Sequence, residues 1–337
     1  MTTLTSSAVQ LTGWRRALAA VQRTLHSYPA LSPTIILVII ALAFTILNPR
    51  FSHPQTLSLL LQQTAVIAAL AVGQTLIILT AGIDLSVGAA AILSSLVMAE
   101  VSSRMGAPGG AALLIGVIVG MLAGTLNGAF VTKFSLPPFI VTLGTLSIFT
   151  ALALLVSDAQ STQAIDMPAL LSWTGQTFTL GSFSITTGVL VVVAMYLVVG
   201  YALTRTAWGS HVYAVGGDTE AARLSGIRVK RVIMSVYVVA GLTYALGAWV
   251  LIGRAGAATP NGIVDGNLQS ITAVVIGGTS LFGGRGGVIG TLLGALIVQS
   301  LTVGLSLAGV DAQYRLLAVG VLVLFAVALD QWIRKSR

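Results

Sequence analysis

One ionisable side chain stands apart in this sequence. In the stretch from Gln74 to Leu96, Asp84 sits in a short polar turn, Ala81-Gly82-Ile83-Asp84-Leu85-Ser86-Val87-Gly88, between two apolar runs. A carboxylate beside membrane-depth sequence costs a few kcal/mol unless it finds a partner, water or helix-end amides, so it is a functional candidate by default. Two roles fit. Either Asp84 or Ser86 caps the amides that open the following helix, whose dipole favours negative charge there, or Asp84 takes a direct part in gating or coupling. The amides Gln74, Asn127, Gln269 and Gln299 lie inside apolar runs, where a buried amide bridges helices as readily as it contacts a solute.

Other chemistries have little to stand on. No G-x-x-x-x-G-K-[ST] loop occurs, so the chain is not expected to cradle and hydrolyse ATP itself. His26, His53 and His211 are far apart, without H-E-x-x-H spacing, and read as interfacial or loop residues rather than metal ligands. There is no G-x-S-x-G elbow, and a Ser/His/Asp grouping would need residues from opposite membrane faces. With no cysteine, thiol chemistry and disulfides are excluded. The Gly-rich segment Ile276 to Gly290 lacks the Lys-Ser/Thr of a phosphate loop. It reads instead as a tight turn with positive φ and close helix contact, with Arg285 at the cytoplasmic face.

The most informative polar stretch runs from Arg205 to Arg231. Gly216-Gly217 is expected to end an extended piece, Asp218 or Thr219 to cap a short helix with Glu220 in its first turn, and Gly226 to stop it. A helix of about two turns is not stable alone. Either the stretch is a merely solvated loop, or the helix packs on its own membrane domain or in a groove on another protein.

The elements that position these residues follow from composition. Of 337 residues, 56% are hydrophobic and 8% charged, against the roughly one-quarter charged that coats a soluble domain. Apolar runs near the roughly 20 residues of a bilayer-crossing helix recur along the chain. The expected fold is an all-α polytopic membrane protein with ten spans, at 31–47, 56–80, 86–104, 111–131, 137–156, 184–204, 232–253, 268–282, 287–308 and 313–330. Residues 1–30 are expected to form a basic, Ser/Thr-rich cytoplasmic tail, 31–330 the membrane domain with a cytoplasmic loop at 205–231, and 331–337 a second cytoplasmic tail. No small-x-small cleavage site follows Leu47, so the first run is expected to be retained as a span.

The net charge of +8 reflects topology rather than nucleic acid. With the N-terminus inside, Arg15, Arg16, Arg23, Lys133, Arg205, Arg223, Arg228, Lys230, Arg231, Arg285, Arg334, Lys335 and Arg337 fall on the cytoplasmic side, 13 of 17 basic residues. The longest outer loop, Ser157 to Phe183, holds Asp158 and Asp166 and no basic residue. Gly116, Gly120, Gly124 and Gly128 in the fourth span, and Gly286, Gly290 and Gly294 in the ninth, form stripes at four-residue spacing that let another backbone approach. A five-span offset would make the halves an inverted repeat, with a substrate path between them.

The chain resembles the permease subunits of bacterial ABC importers for monosaccharides, the ribose, xylose and fructose group. The resemblance rests on TAGIDLSVG at 80–88, PPFIVTLGTLS at 137–147, GGDTEAARLSGI at 216–227 and AVVIGGTSLFGGRGGVIGTLLGALIV at 273–298, and spans roughly residues 55 to 330. It implies a non-catalytic permease dimer, of identical or paralogous copies, in the bacterial inner membrane with both termini cytoplasmic. It further implies a separate ATPase that binds ATP and Mg, and a periplasmic sugar-binding protein. The family's coupling helix falls on Asp218, Thr219, Glu220, Ala221, Ala222, Arg223, Leu224, Ser225 and Gly226. Where most members read E-L-D-A-I, this chain has Asn267-Leu268-Gln269-Ser270-Ile271, so no acidic role carries over there. That variant and the ending Leu329 to Lys335 are similar to the fructose-type branch. Candidates for a translocation path are Gln74, Asp84, Asn127, Asn267 and Gln269. An ion-coupled secondary transporter or channel would be expected to carry charged residues deep in its spans; a branched-chain amino-acid permease is the nearest rival among ABC importers.

Overall fold

A computed structural model describes residues 31–263 and 265–335. The predicted tail at 1–30, with Arg15, Arg16, Arg23 and His26, lies outside the described residues, as does Arg337. Thirteen α-helices make up most of the described chain. They are α1 (Leu31–Leu47), α2 (Pro54–Leu79), α3 (Val87–Ser103), α4 (Gly109–Lys133), α5 (Pro138–Ser157), α6 (Ala169–Ser172), α7 (Thr187–Arg205), α8 (Ala207–Gly217), α9 (Thr219–Leu224), α10 (Val229–Ala255), α11 (Gly266–Ile276), α12 (Val288–Leu307) and α13 (Ala312–Lys335). Six of them, α2, α4, α5, α7, α10 and α12, are long and apolar enough to cross a membrane, and α1, α3, α11 and the start of α13 are shorter apolar helices.

The two longest helices form the centre. From Thr64 to Leu79 every residue of α2 is buried, as expected of a helix that is apolar all round. Gly73 lets α10 come close, since a Cβ there would lie 2.4 Å from Thr243 Oγ1 and 3.1 Å from the Ala240 Cα. Helix α10 then packs along α4 and α3, and α2 along α12 and α11. The outer helices keep apolar faces exposed, including Ile46 on α1, Leu155 on α5 and Leu197 on α7. A bilayer would cover those faces, and the molecule is a multi-pass membrane protein.

The glycine stripe in α4 admits backbone of α10 at Gly120 and Gly124 and a side chain at Gly116. A Cβ at Gly124 would lie 2.1 Å from the Tyr237 carbonyl oxygen, one at Gly241 2.1 Å from the Gly120 carbonyl oxygen, and one at Gly116 2.2 Å from Met98 Cγ. In α12, Gly290 and Gly294 lie against the backbone of Gly277 and Ala273. The predicted third member of that stripe, Gly286, is not on the helix: it precedes α12 at φ 122°.

Two further expectations need correcting. The eighth span, expected over 268–282, ends at Ile276 because Gly278 turns to φ 83° and the Gly278 and Thr279 amides bond back to Val275 and Val274. The stretch expected to be extended before Gly216-Gly217 is α8, opened by Thr206 and held by buried Val212 and Val215. Its glycines do not break the helix. They let it end against other backbone: a Cβ at Gly216 would lie 1.7 Å from the Leu79 carbonyl oxygen.

The segment between α5 and α7 carries a small hairpin, β2 (Thr177–Leu180) with β3 (Phe183–Thr186). A short strand before it, β1 (Thr162–Gln163), pairs antiparallel with β4 (Ala257–Ala258), just after α10.

Candidate functional site

Three places gather the residues singled out above. The first is α9. Asp218 precedes it, and its Oδ1 accepts 2.9 Å bonds from the amides of Glu220 and Ala221. The cap is therefore Asp218; the Thr219 hydroxyl instead donates to the Val215 carbonyl oxygen at 2.8 Å. Arg223 reaches back one turn and donates to both Glu220 oxygens, at 3.1 and 2.5 Å. That hydrogen bond, and then the charge of Glu220, hold the Arg223 guanidinium above its ordinary pKa. Ser225 bonds the Ala221 carbonyl oxygen through both its amide and its hydroxyl, and Gly226 at φ 85° turns the chain away. Only Ala222 faces inward, while Leu224 is 80% exposed. A six-residue helix is far below the length that is stable alone. This one is capped at both ends and presents an ion pair and a bare leucine outward.

The second place is the turn between α2 and α3. Asp84 is buried, and its Oδ1 accepts from the Ser86 amide at 2.7 Å and the Ser86 hydroxyl at 2.6 Å. Its Oδ2 accepts from the Tyr244 hydroxyl of α10 at 3.2 Å. Asn127 of α4 donates to Ser86 Oγ at 2.9 Å, and Thr145 of α5 donates to Asn127 Oδ1 at 2.7 Å. Thr142 adds a 3.1 Å bond to the Ile83 carbonyl oxygen. The cap reading is corrected here: neither Asp84 nor Ser86 bonds the first free amides of α3. Asp84 closes a turn onto Ser86 and ties it to α10, while Ser86 ties the turn to α4 and the Ile83 carbonyl ties it to α5. The Tyr237 hydroxyl is buried nearby without a hydrogen-bond partner, within 3.5 Å of where a Cβ on Gly82 would stand.

Of the residues proposed from sequence, this turn unites Asp84 and Asn127. Asn267 abuts α3 slightly further on, its Oδ1 3.0 Å from where a Cβ on Gly88 would stand. Gln74 stands apart, fully buried in α2, with neither amide atom bonded. Thr142, Thr145, Tyr237 and Tyr244 were not singled out from sequence. The seven-residue spacing of the two tyrosines, which places both on one face of α10, was the available signal.

The third place is a cleft of about 340 Å³ where the start of α2, the start of α11, the end of α12 and the start of α13 meet. Gln269 lines it, with its Oε1 accepting from Gln299 Nε2 at 2.9 Å. The cleft lies at the far end of α12 from the Gly-rich turn, ~30 Å away along the helix.

Comparison with known proteins fits this architecture. Residues 56–327 match the family described as branched-chain amino acid transport system / permease component. The chain is similar to the fructose import permease protein FrcC of Rhizobium meliloti, 48% identical over 94% of this chain and 89% of that one. It is similar also to the ribose import permease protein RbsC of Bacillus subtilis, 38% identical over 89% and 92%. A third relative, the xylose transport system permease protein XylH of Escherichia coli, is 31% identical over 82% and 84%. No solved structure matches the chain. With the family match covering most of the sequence and these relatives aligning along nearly all of it, the chain belongs to the branched-chain amino acid transport system permease family, among the sugar import permeases of ABC importers, which are transport subunits and not enzymes.

Proposed function

We propose that this chain is the membrane permease of an ATP-driven importer that carries a monosaccharide, fructose in the first instance, by alternating between outward and inward openings. The observation that carries the reading is α9: a short helix, doubly capped, that offers Glu220, Arg223 and exposed Leu224 to something outside the chain. The partner that fits is an ATPase with a groove for it, where ATP and Mg are bound. A periplasmic sugar-binding protein delivers substrate, and a second permease copy, identical or paralogous, completes the pore.

The proposed setting is the bacterial inner membrane with both termini cytoplasmic, following the distribution of Lys and Arg. The proposed domain division is a tail at 1–30, a membrane domain at 31–330 containing the loop 205–231, and a tail at 331–337. Ten spans in two inverted halves are favoured by matching contacts. Helix α3 packs on α4 and α5 as α11 packs on α12 and α13, and α10 meets α3 as α2 meets α11. Within this frame Asp84 and Asn127 act as a latch on the α2–α3 turn, and Gln74, Asn267 and Gln269 face the route of the solute at different depths.

The family description also names branched-chain amino acids, and such a substrate is the second reading. Relatives named for fructose, ribose and xylose favour a sugar. The test is ATP hydrolysis by the chain assembled with its ATPase and binding protein in lipid discs, with fructose, ribose or leucine. Stimulation by fructose with binding protein is expected. Reversing the charges of Glu220 and Arg223 should abolish that stimulation while membrane insertion is retained, and unchanged coupling would remove α9 from the mechanism.

A further inference from the structure

The cleft at the α2–α11–α12–α13 junction contrasts with the turn at Asp84, where buried polar groups bond one another. In the cleft Asp265 and Arg315 face a common space, yet neither makes an ion pair with any described residue. Gln63, Gln269, Thr302 and Ser306 complete its polar lining. Gln299 ties down Gln269 through its oxygen, which leaves the amide nitrogen as a donor. Leu59 and Leu316 supply apolar wall.

We infer that this cleft is a binding site for a single neutral sugar ring, so that the permease itself holds its substrate on the side remote from α9. The inference rests on the importer reading and goes beyond it by assigning the sugar a place on this chain. The volume falls at the small end of ligand pockets, roughly 300–1,000 Å³. A sugar presents hydroxyls around its edge, each both donor and acceptor, and C–H faces above and below. A carboxylate that only accepts, a guanidinium that only donates and amides that do both match such an edge, and the leucine side chains match the faces.

A zwitterionic amino acid could also use Asp265 and Arg315. An aliphatic side chain would then lie against Gln63 and the free amide nitrogen of Gln269 and leave them without partners, at about 1–3 kcal/mol for each group so buried. A polyhydroxyl ligand incurs no such cost. That difference selects the sugar.

The absence of cysteine from the chain gives a direct test. Ser306→Cys, at an exposed position in the cleft, is assembled with the ATPase in lipid discs and its modification by a maleimide is timed. At about 10 mM D-fructose, tenfold above a site of 1 mM affinity, occupancy should slow modification about tenfold. A thiol at Ile165→Cys, 92% exposed on the segment between α5 and α7, should react at one rate with or without sugar. Asp265→Asn and Arg315→Gln, each combined with Ser306→Cys, should remove the protection and preserve ATPase assembly. If no monosaccharide protects the thiol although the wild-type complex imports sugar, the cleft is not the site and the importer reading stands. If L-leucine protects and sugars do not, the ligand chemistry is wrong. If the wild-type complex imports no monosaccharide at all, both readings fall.

Discussion

Gly241→Ala should be among the most damaging single-methyl changes in this protein, and the structure sets its size. The added Cβ would stand 2.1 Å from the Gly120 carbonyl oxygen, 2.9 Å from the Gly120 carbonyl carbon and 3.2 Å from the Gly124 amide. All three are backbone atoms of α4, so no side chain can rotate aside. Ordinary close carbon–oxygen contacts begin at about 3.3 Å, and α4 must therefore withdraw by roughly 1 Å. A gap of about 0.5–1 Å forfeits a quarter to a half of the dispersion energy of each affected contact, and forcing a methyl into a packed core costs about 1–3 kcal/mol of strain. Better helix propensity returns only ~0.5–1 kcal/mol. The net expectation is a loss of about 1–2 kcal/mol. Gly144→Ala supplies the opposite sign: nothing lies within 4 Å of its would-be Cβ on α5, so propensity alone acts and stability should hold or rise by ~0.5–1 kcal/mol. Thermal unfolding of the purified chain, followed by circular dichroism, compares the two. A Gly241→Ala protein that melts at or above the wild-type temperature would refute close α4–α10 packing as the basis of the core.

Three other outcomes follow from the same geometry. Asp84→Leu strips the acceptor from the Ser86 amide, the Ser86 hydroxyl and the Tyr244 hydroxyl, and should lower stability by about 1–3 kcal/mol for each donor left buried. Asp84→Asn keeps an acceptor for Ser86 and should cost less, which the same melting assay would read. Gln74→Leu removes two buried, unbonded amide atoms and should raise stability by roughly 1–3 kcal/mol while lowering sugar uptake by the assembled complex; a lower melting temperature would show that the amide has a structural partner. Asp218→Ala removes the cap of α9 at about 1 kcal/mol, and should weaken ATPase stimulation without changing the amount of chain inserted in the membrane.

The helices were readable because lipid imposes long apolar runs, and nine of the ten expected spans lie within a few residues of an observed helix. The eighth was drawn too long because it was run through the start of the Gly-rich segment, whose reading as a tight turn with positive φ holds at Gly278 and ends the helix at Ile276. At Gly216-Gly217 the error ran the other way. Glycine signals a break when it is judged by its own flexibility, and here its role is to admit the Leu79 carbonyl of a distant helix. Asp84 was identifiable from its charge, and Asp218 from its position before Thr219-Glu220. Tyr244, which bonds Asp84, Asn127, which bonds Ser86, and Thr145, which bonds Asn127, come from three helices far away in sequence, and only the fold joins them at this turn. The cleft was invisible for the same reason: Gln269 was singled out as an isolated amide, but Asp265 and Arg315 gain meaning from lining one cleft at a junction of four helices.

The seam at the end of α2 has a mechanical consequence. There the Gly284 amide bonds the Leu79 carbonyl oxygen at 3.0 Å, Gly216 lies directly on that carbonyl, and the Tyr213 hydroxyl bonds the Gly286 carbonyl oxygen at 2.9 Å. Side chains between two moving parts act as springs, because rotamers give way before backbones do. At this seam main chain bears on main chain, so the joint is stiff. On the proposed coupling role of α9, a push on it from outside would lose little travel in α8 and would arrive together at the foot of α2 and at the turn between α11 and α12.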